Sequence, residues 1–281
     1  MERIHNLFVS SESRNKNVDP YGNNYTVILA DPIKNVNRVE LLHASVPNSI
    51  YNLPATSGGY AAVLTTGGTL YYVAPGFYGG TLLAKELTKA LSSESITVEY
   101  ITAEGKFVFL KSSTFTIDLY SEDVALLLGF NDTTQKTAIQ ASTVSQVANN
   151  SRYSGNHFVK SDKVALLNQV YGIFLDIKEL RSPYNITAAA ANQEASGLTG
   201  LNPAWSFGMI PLDVVSGDIK RFNQENNYPF GIDYKAPIGS LGKLTVQWVD
   251  INGQRTSFNG SERNSFLLKI FSNNNQEIIT I

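Results

Sequence analysis

Leu244-Thr245-Val246-Gln247-Trp248-Val249-Asp250-Ile251-Asn252-Gly253 is the stretch that decides the fold class. Leu244, Val246 and Trp248 alternate with polar Thr245 and Gln247, the period-two pattern of a strand with one buried face. Asn252-Gly253 follows at once, and Asn-Gly after an alternating run marks a hairpin because both residues tolerate positive φ. Outward from this point the same signal repeats. Phe266, Leu268 and Ile270 alternate on the C-terminal side. On the N-terminal side lie a strand from Trp205 to Leu212 and an alternating run from Val170 to Leu180, with Ile173, Leu175 and Ile177 on one face. Near the start of the chain, Tyr25-Thr26-Val27-Ile28-Leu29 is β-branched and aromatic, bounded by the turn formers Gly22-Asn23 and Asp31-Pro32. A second run, Val36 to Val46, ends at Pro47-Asn48-Ser49.

The middle of the chain reads differently. Tyr60 to Leu64 and Thr69 to Val73 form hairpin arms about Gly67-Gly68, after Gly58-Gly59. Pro75-Gly76-Phe77-Tyr78-Gly79-Gly80 breaks the pattern before an amphipathic helix, about Leu82 to Leu91, with Thr81 as N-cap. Leu83, Leu87 and Leu91 share one face of it and Lys85, Glu86 and Lys89 the other. Ile96, Val98 and Tyr100 alternate, Glu104-Gly105 turns the chain into Lys106 to Leu110, and Phe115, Ile117 and Leu119 alternate again. Ser121-Glu122-Asp123 caps a short helical turn that Gly129 closes. Residues 131–163 are Ser/Thr/Asn-rich and read as a linker or long surface loop, and Ser182 to Pro203 reads as a mobile Ala- and Asn-rich excursion. This predicts a mainly β chain with an insertion. Residues 1–53 and 164–281 form a discontinuous β-sandwich, and 54–163 form a small α+β domain ending in a polar linker.

The totals narrow the function. With 281 residues, 43% hydrophobic and only 16% charged, the chain buries a real core. The low charge fits either an ordinary neutral surface or one covered by neighbouring subunits. Lys and Arg number 22 against 24 Asp and Glu, so no basic field exists to neutralise phosphates, and direct nucleic-acid binding is not expected. The absence of cysteine removes disulfides, thiolate metal sites and Cys nucleophiles, and suits assembly inside a cell. Residues 1–6 lack a signal-peptide core and no stretch reaches the ~20 apolar residues of a membrane helix. The expectation is a soluble protein without a membrane span.

No catalytic set is apparent. The histidines are His5 in an N-terminal tail, His43 in a strand and His157 in the polar linker, none with a partner at helical metal-site spacing. A lone strand histidine such as His43 reads as a structural residue. Gly76 to Gly80 precedes a helix but lacks the residues of a nucleotide loop, so it reads as a strand–helix break. Glu122-Asp123 falls in a helical first turn, where the dipole favours it. Asp250-Ile251-Asn252-Gly253 resembles the start of a calcium loop, but Arg255 and Ser261 occupy the positions that need Gly and Glu, so a hairpin is the better reading. No enzyme activity, metal or cofactor is expected. Loop aromatics Phe77, Tyr78, Tyr184 and Tyr228 are the candidate interface anchors.

Ser11-Glu12-Ser13-Arg14, the strand from Tyr25 to Leu29, and the run from Asn35-Val36-Asn37-Arg38 through His43-Ala44-Ser45-Val46-Pro47-Asn48 to Asn52 together resemble the opening of penton and minor capsid proteins. These belong to large eukaryotic DNA viruses and virophages. Pro75-Gly76-Phe77-Tyr78, Gly105-Lys106-Phe107, Phe115-Thr116-Ile117, Leu127-Leu128-Gly129-Phe130, Ile238 to Trp248 and Phe266 to Ile270 are similar to pieces of such virion proteins. The resemblance implies a single jelly roll, a homopentamer at capsid vertices, and contact with the major capsid protein, in a virion assembled inside the host cell. The inserted domain would then meet a spike or a host receptor. A minor capsid, cement or spike-base protein is the alternative, and a carbohydrate-binding β-sandwich a more distant one.

Overall fold

The computed structural model describes residues 2–56, 58–140, 156–168, 172–181, 206–225, 229–250 and 255–273. The chain divides into two compact units, Met1–Ile50 with Val170–Ile281, and Tyr51–Gln169. Strands β1 (Glu2–Ser10) and β2 (Asn24–Pro47) come first. The second unit then supplies β3 (Ala61–Thr66), β4 (Thr69–Val73), α1 (Gly80–Ala90), β5 (Thr97–Ile101), β6 (Lys106–Lys111), β7 (Thr116–Leu119), α2 (Glu122–Leu128), β8 (Lys136–Thr137), β9 (Ile139–Gln140) and β10 (His157–Lys160). The first unit resumes with β11 (Gly172–Ile177), β12 (Gly208–Pro211), β13 (Ile219–Asn223), β14 (Phe230–Val249) and β15 (Ser265–Asn273).

The fold is mainly β and antiparallel. In the first unit one sheet runs β1-β15-β2-β14-β11-β12, with β13 also paired to β2. It curls into a half-barrel, and its inward residues, among them Val9, Tyr25, Leu41, Leu175, Phe222, Trp248 and Phe266, form one core. A single continuous sheet thus supplies both sides of that core.

Two long strands make this possible. Asp31-Pro32 does not end a strand as expected, because β2 runs through it for 24 residues. Ile28 pairs with Lys243 and Ile33 with Leu241, so residues 29–32 face Gly242 alone. Asp233 pairs with Arg38 and Ile238 with Val36, so residues 234–237 face Asn37 alone. Each excursion carries a proline, Pro32 in β2 and Pro237 in β14. A bulge is where a missing N–H costs no ladder bond, and it also increases local twist.

The N-terminal segment is also part of the sheet, not a tail. β1 pairs with β15 in unbroken register from Glu2↔Asn273 to Ser10↔Ser265. His5 lies within it, its Nε2 3.0 Å from Ser272 Oγ. The following loop is pinned by Arg14, which is buried and donates to the carbonyls of Ser11, Asp19 and Pro20. β11 is buried on both faces. Asp176, on its second face, accepts from Arg181 Nε at 2.9 Å and Nη2 at 2.5 Å. That hydrogen bond raises the Arg181 pKa above its ordinary value. The strand expected from Trp205 is shorter, beginning at Gly208; Trp205 and Ser182 to Pro203 lie outside the described residues.

The second unit holds two four-stranded sheets, β5-β6-β10-β9 and β4-β3-β7-β8. The β3–β4 hairpin turns on Gly67 and Gly68, both at positive φ. Leu83, Leu87 and Leu91 face a core that also holds Phe107, Phe109, Phe130 and Leu128. α1 starts earlier than predicted. Gly79, not Thr81, is its N-cap and makes no side-chain bond. The first helical residue is held to glycine, because a Cβ on Gly80 would collide with the Tyr100 ring. α2 has the expected caps: Ser121 Oγ accepts from Val124 N–H, and Gly129 takes φ 82°. The polar stretch after Asn131 is not a linker in its described parts. β8 and β9 form there, and β10 inserts between β6 and β9 with Phe158 and Val159 buried on opposite faces. Four residues are enough to bury a strand when both edges are paired and each face meets an apolar cluster.

Candidate interaction surface

Among the described residues no three His, Cys, Asp or Glu side chains gather to hold a metal ion. The chemistry on offer is that of apolar strips and paired charges. The clearest example is the outward face of β1, β15 and β2. Directly opposed residues of paired strands share a face. Phe8 opposes Leu267, Asn6 opposes Lys269, and Ile4 opposes Phe271. Lys269 then opposes Glu40, and Phe271 opposes Arg38. Phe8 is 66% exposed and Ile4 55%.

Beside this apolar strip, on the same face, lies a band of neutralised charge. The Arg38 guanidinium sits 5.4 Å from the Phe271 ring centroid and the Lys269 ammonium 5.0 Å from it. Arg38 pairs with Glu40 at 2.5 Å and with Asp233 at 3.6 Å. Cation–ring contacts of this exposed kind contribute about 0.5–1 kcal/mol each. Their larger effect is to hold two long cationic side chains flat against the sheet.

What fixes the face from within is a polar cluster centred on Asn264. Its Oδ1 accepts from Tyr25 O–H and Trp248 Nε1–H, each at 3.0 Å. Its Nδ2 donates to the Gly22 carbonyl at 2.7 Å, and its backbone N–H donates to Ser11 Oγ at 2.9 Å. Burial raises the Tyr25 phenol pKa well above its ordinary value. Gly22 N–H donates to Glu262 Oε2, and a Cβ at Gly22 would collide with the Glu262 carbonyl. The β1 end, the start of β2 and the turn before β15 are therefore locked together. Sequence reading missed both this cluster and the β1 strip. Leu7-Phe8-Val9 is β-prone, a signal that could have found β1; nothing local marks Asn264.

The predicted anchors are dispersed. Phe77 is 39% exposed in the second unit. Tyr78 is 7% exposed and spends its ring on that unit's core, its O–H donating to the Ala74 carbonyl at 2.7 Å. Asn52 holds the Tyr78 backbone at both N–H and C=O, which turns the ring inward and removes it from the surface. Tyr184 and Tyr228 lie outside the described residues. His43 lies in β2, paired to Leu267 and Asn223, and His157 in β10. Val249 pairs with Arg255, so the chain does reverse across the Asp250 stretch, though residues 251–254 are outside the described set.

Comparison with known proteins gives three results. No protein of curated function matches the sequence. Among solved structures, the mavirus penton protein is similar with a TM-score of 0.48 and 10% identity, over 97% of this chain and 99% of that one. A chain of the Sputnik virophage structure is similar with a TM-score of 0.40 and 12% identity, over 96% and 98%. The family model that matches spans residues 3–192, from β1 through the whole second unit and past β11. The chain therefore belongs to DUF5901, a family of unknown function.

Proposed function

We propose that this chain is a structural protein of a virus particle, a vertex capsid protein that forms a ring of five copies and contacts the major capsid protein. The observation that carries this reading is the outward face of β1, β15 and β2. It is an apolar strip and a neutralised charge band on a sheet pinned from behind by a buried polar cluster. Rigid backing and exposed apolar side chains are what an assembly surface needs, since ordering costs at the contact are already met. The sequence likeness of residues 11–14 and 35–52 to the openings of penton and minor capsid proteins supports the same reading, as does the low overall charge. The second unit serves as an inserted domain that meets a spike or host receptor, with Phe77 as an exposed aromatic.

Copy number tests the proposal. Quantitative mass spectrometry of purified particles should give five copies per vertex, and native mass spectrometry of concentrated protein should show a five-fold species. A count that follows the capsid facets would make the chain a cement or brace. Absence from particles would end the structural reading.

A further inference from the structure

The outer edge of β1 is unpaired among the described residues. Exposed strand edges are usually protected by a proline, a lysine, a bulge or shortness. β1 has none of these. Glu2–Ser10 contains no Pro, Gly or Lys, and it is nine residues long in unbroken register with β15. Other edges are shorter: β12 has four residues and ends on Pro211, and β5 has five.

The side-chain pattern of β1 is also self-complementary. Two copies of Glu2–Ser10 can run antiparallel about a two-fold axis through Asn6. Ile4 of each copy then opposes Phe8 of the other, Asn6 opposes Asn6, and His5 opposes Leu7. Glu2 opposes Ser10 and Arg3 opposes Val9, so no like charges face each other. The exposed large apolar side chains of the strand, Ile4 and Phe8, are the ones this register joins. Each already has an apolar neighbour on β15, Phe271 and Leu267. Pairing therefore merges two small patches into one continuous strip, with the backbone edge satisfied by the same step.

We infer that the edge of β1 binds a second copy of this chain, joining two sheets into one across a two-fold axis. The contact is isologous, whereas a ring of five repeats a head-to-tail contact, so this inference goes beyond the vertex reading and does not require it. One strand pair is small beside the ~1,200–2,000 Å² of a stable interface. In solution the contact is weak, and in an assembly it gains from being repeated.

The chain has no cysteine, so a single introduced one reports the register. Asn6→Cys places two thiols opposite each other on the axis, within the Cα range of a disulfide. Glu2→Cys places them eight residues apart along the paired strands, about 27 Å. Under mild oxidation of the full chain, Asn6→Cys should give a reducible dimer at least ten times faster than Glu2→Cys. Adding Phe8→Lys to Asn6→Cys should slow the cross-link at least ten-fold while leaving circular dichroism unchanged, because Phe8 is on the surface. Equal rates for the two cysteine positions, or a cross-link indifferent to Phe8→Lys, would overturn the two-fold pairing. Native mass spectrometry of the unsubstituted chain separates this from the vertex reading: even-numbered species without a five-fold one support the β1 pairing and count against the ring, and a five-fold species with no register-dependent cross-link supports the ring and overturns the pairing.

Discussion

The two units reach similar burial by opposite routes. In the second unit, β3 pairs with β4 across Gly67-Gly68 and β5 with β6 across Gly105, so much of the ladder is closed by short turns. In the first, β1 pairs with β15 and β2 with β14, partners that lie far apart in the sequence, such as Leu41 with Phe230 and Ser10 with Ser265. Short hairpins cost little loop entropy before their contacts form, while distant pairings must meet that cost first. The second unit therefore rests on local turns and an apolar core. The first needs a device to hold its ends in register, and the Asn264 cluster fills that need.

If this contrast is right, single substitutions separate the units. Both tryptophans, Trp205 and Trp248, belong to the first unit, so tryptophan fluorescence follows it alone. The largest effect is expected from Asn264→Ala. It strands the Trp248 N–H, the Tyr25 O–H and the Gly22 carbonyl, each an unmet buried group costing about 1–3 kcal/mol. A loss of about 3–5 kcal/mol should appear in the fluorescence-detected urea transition, with the second unit's far-UV signal unmoved. A single joint shift would break the comparison. Leu87→Ala should act in the reverse sense. Leu87 is buried in the second core, and its truncation costs about 3 kcal/mol. That loss should show in circular dichroism while the tryptophan transition stays in place.

The smallest expected effect sharpens the role of charge in the first unit. Buried Lys220 pairs with the half-exposed Asp213 at 2.6 Å. The hydrogen bond from Lys220 holds the Asp213 carboxyl below its ordinary pKa. The carboxylate's contribution is thus present above the unfolded value, near pH 4, and is lost as pH falls through the lower folded value. Asp213→Asn should cost about 1 kcal/mol at neutral pH, discounted for solvent screening, and should flatten the first unit's stability change in that acid window. An unchanged acid profile in the variant would assign the change to other carboxylates.

How far these features could be read from sequence follows the same division. The Gly67-Gly68 hairpin, the Leu83–Leu87–Leu91 face and the Ser121–Gly129 caps were legible because each signal lies within about ten residues. Asp31-Pro32 misled because a proline in a bulge and a proline in a turn look alike until the partner strand, with Gly242 opposite, is known. The expected linker after Asn131 misled because its strands are two to four residues long and take their stability from β6 and β7. Of the four loop aromatics, Tyr78 was drawn inward by Asn52, a contact no spacing rule predicts. The β1 strip was missed for a plainer reason. Ile4 and Phe8 fall on one face and Leu7 and Val9 on the other, so the alternation that marks a half-buried strand is blurred.

The pairing of β1 with β15 has a consequence for synthesis. As the chain leaves the ribosome, residues 51–169 are complete long before β15 emerges, and β1 must wait for more than 250 further residues before its neighbour is made. A nascent chain broken anywhere before residue 265 keeps its early strands but never completes the first sheet. Synthesis through β15 is thereby checked by the fold itself, and a copy that stops short of it has no finished surface to offer.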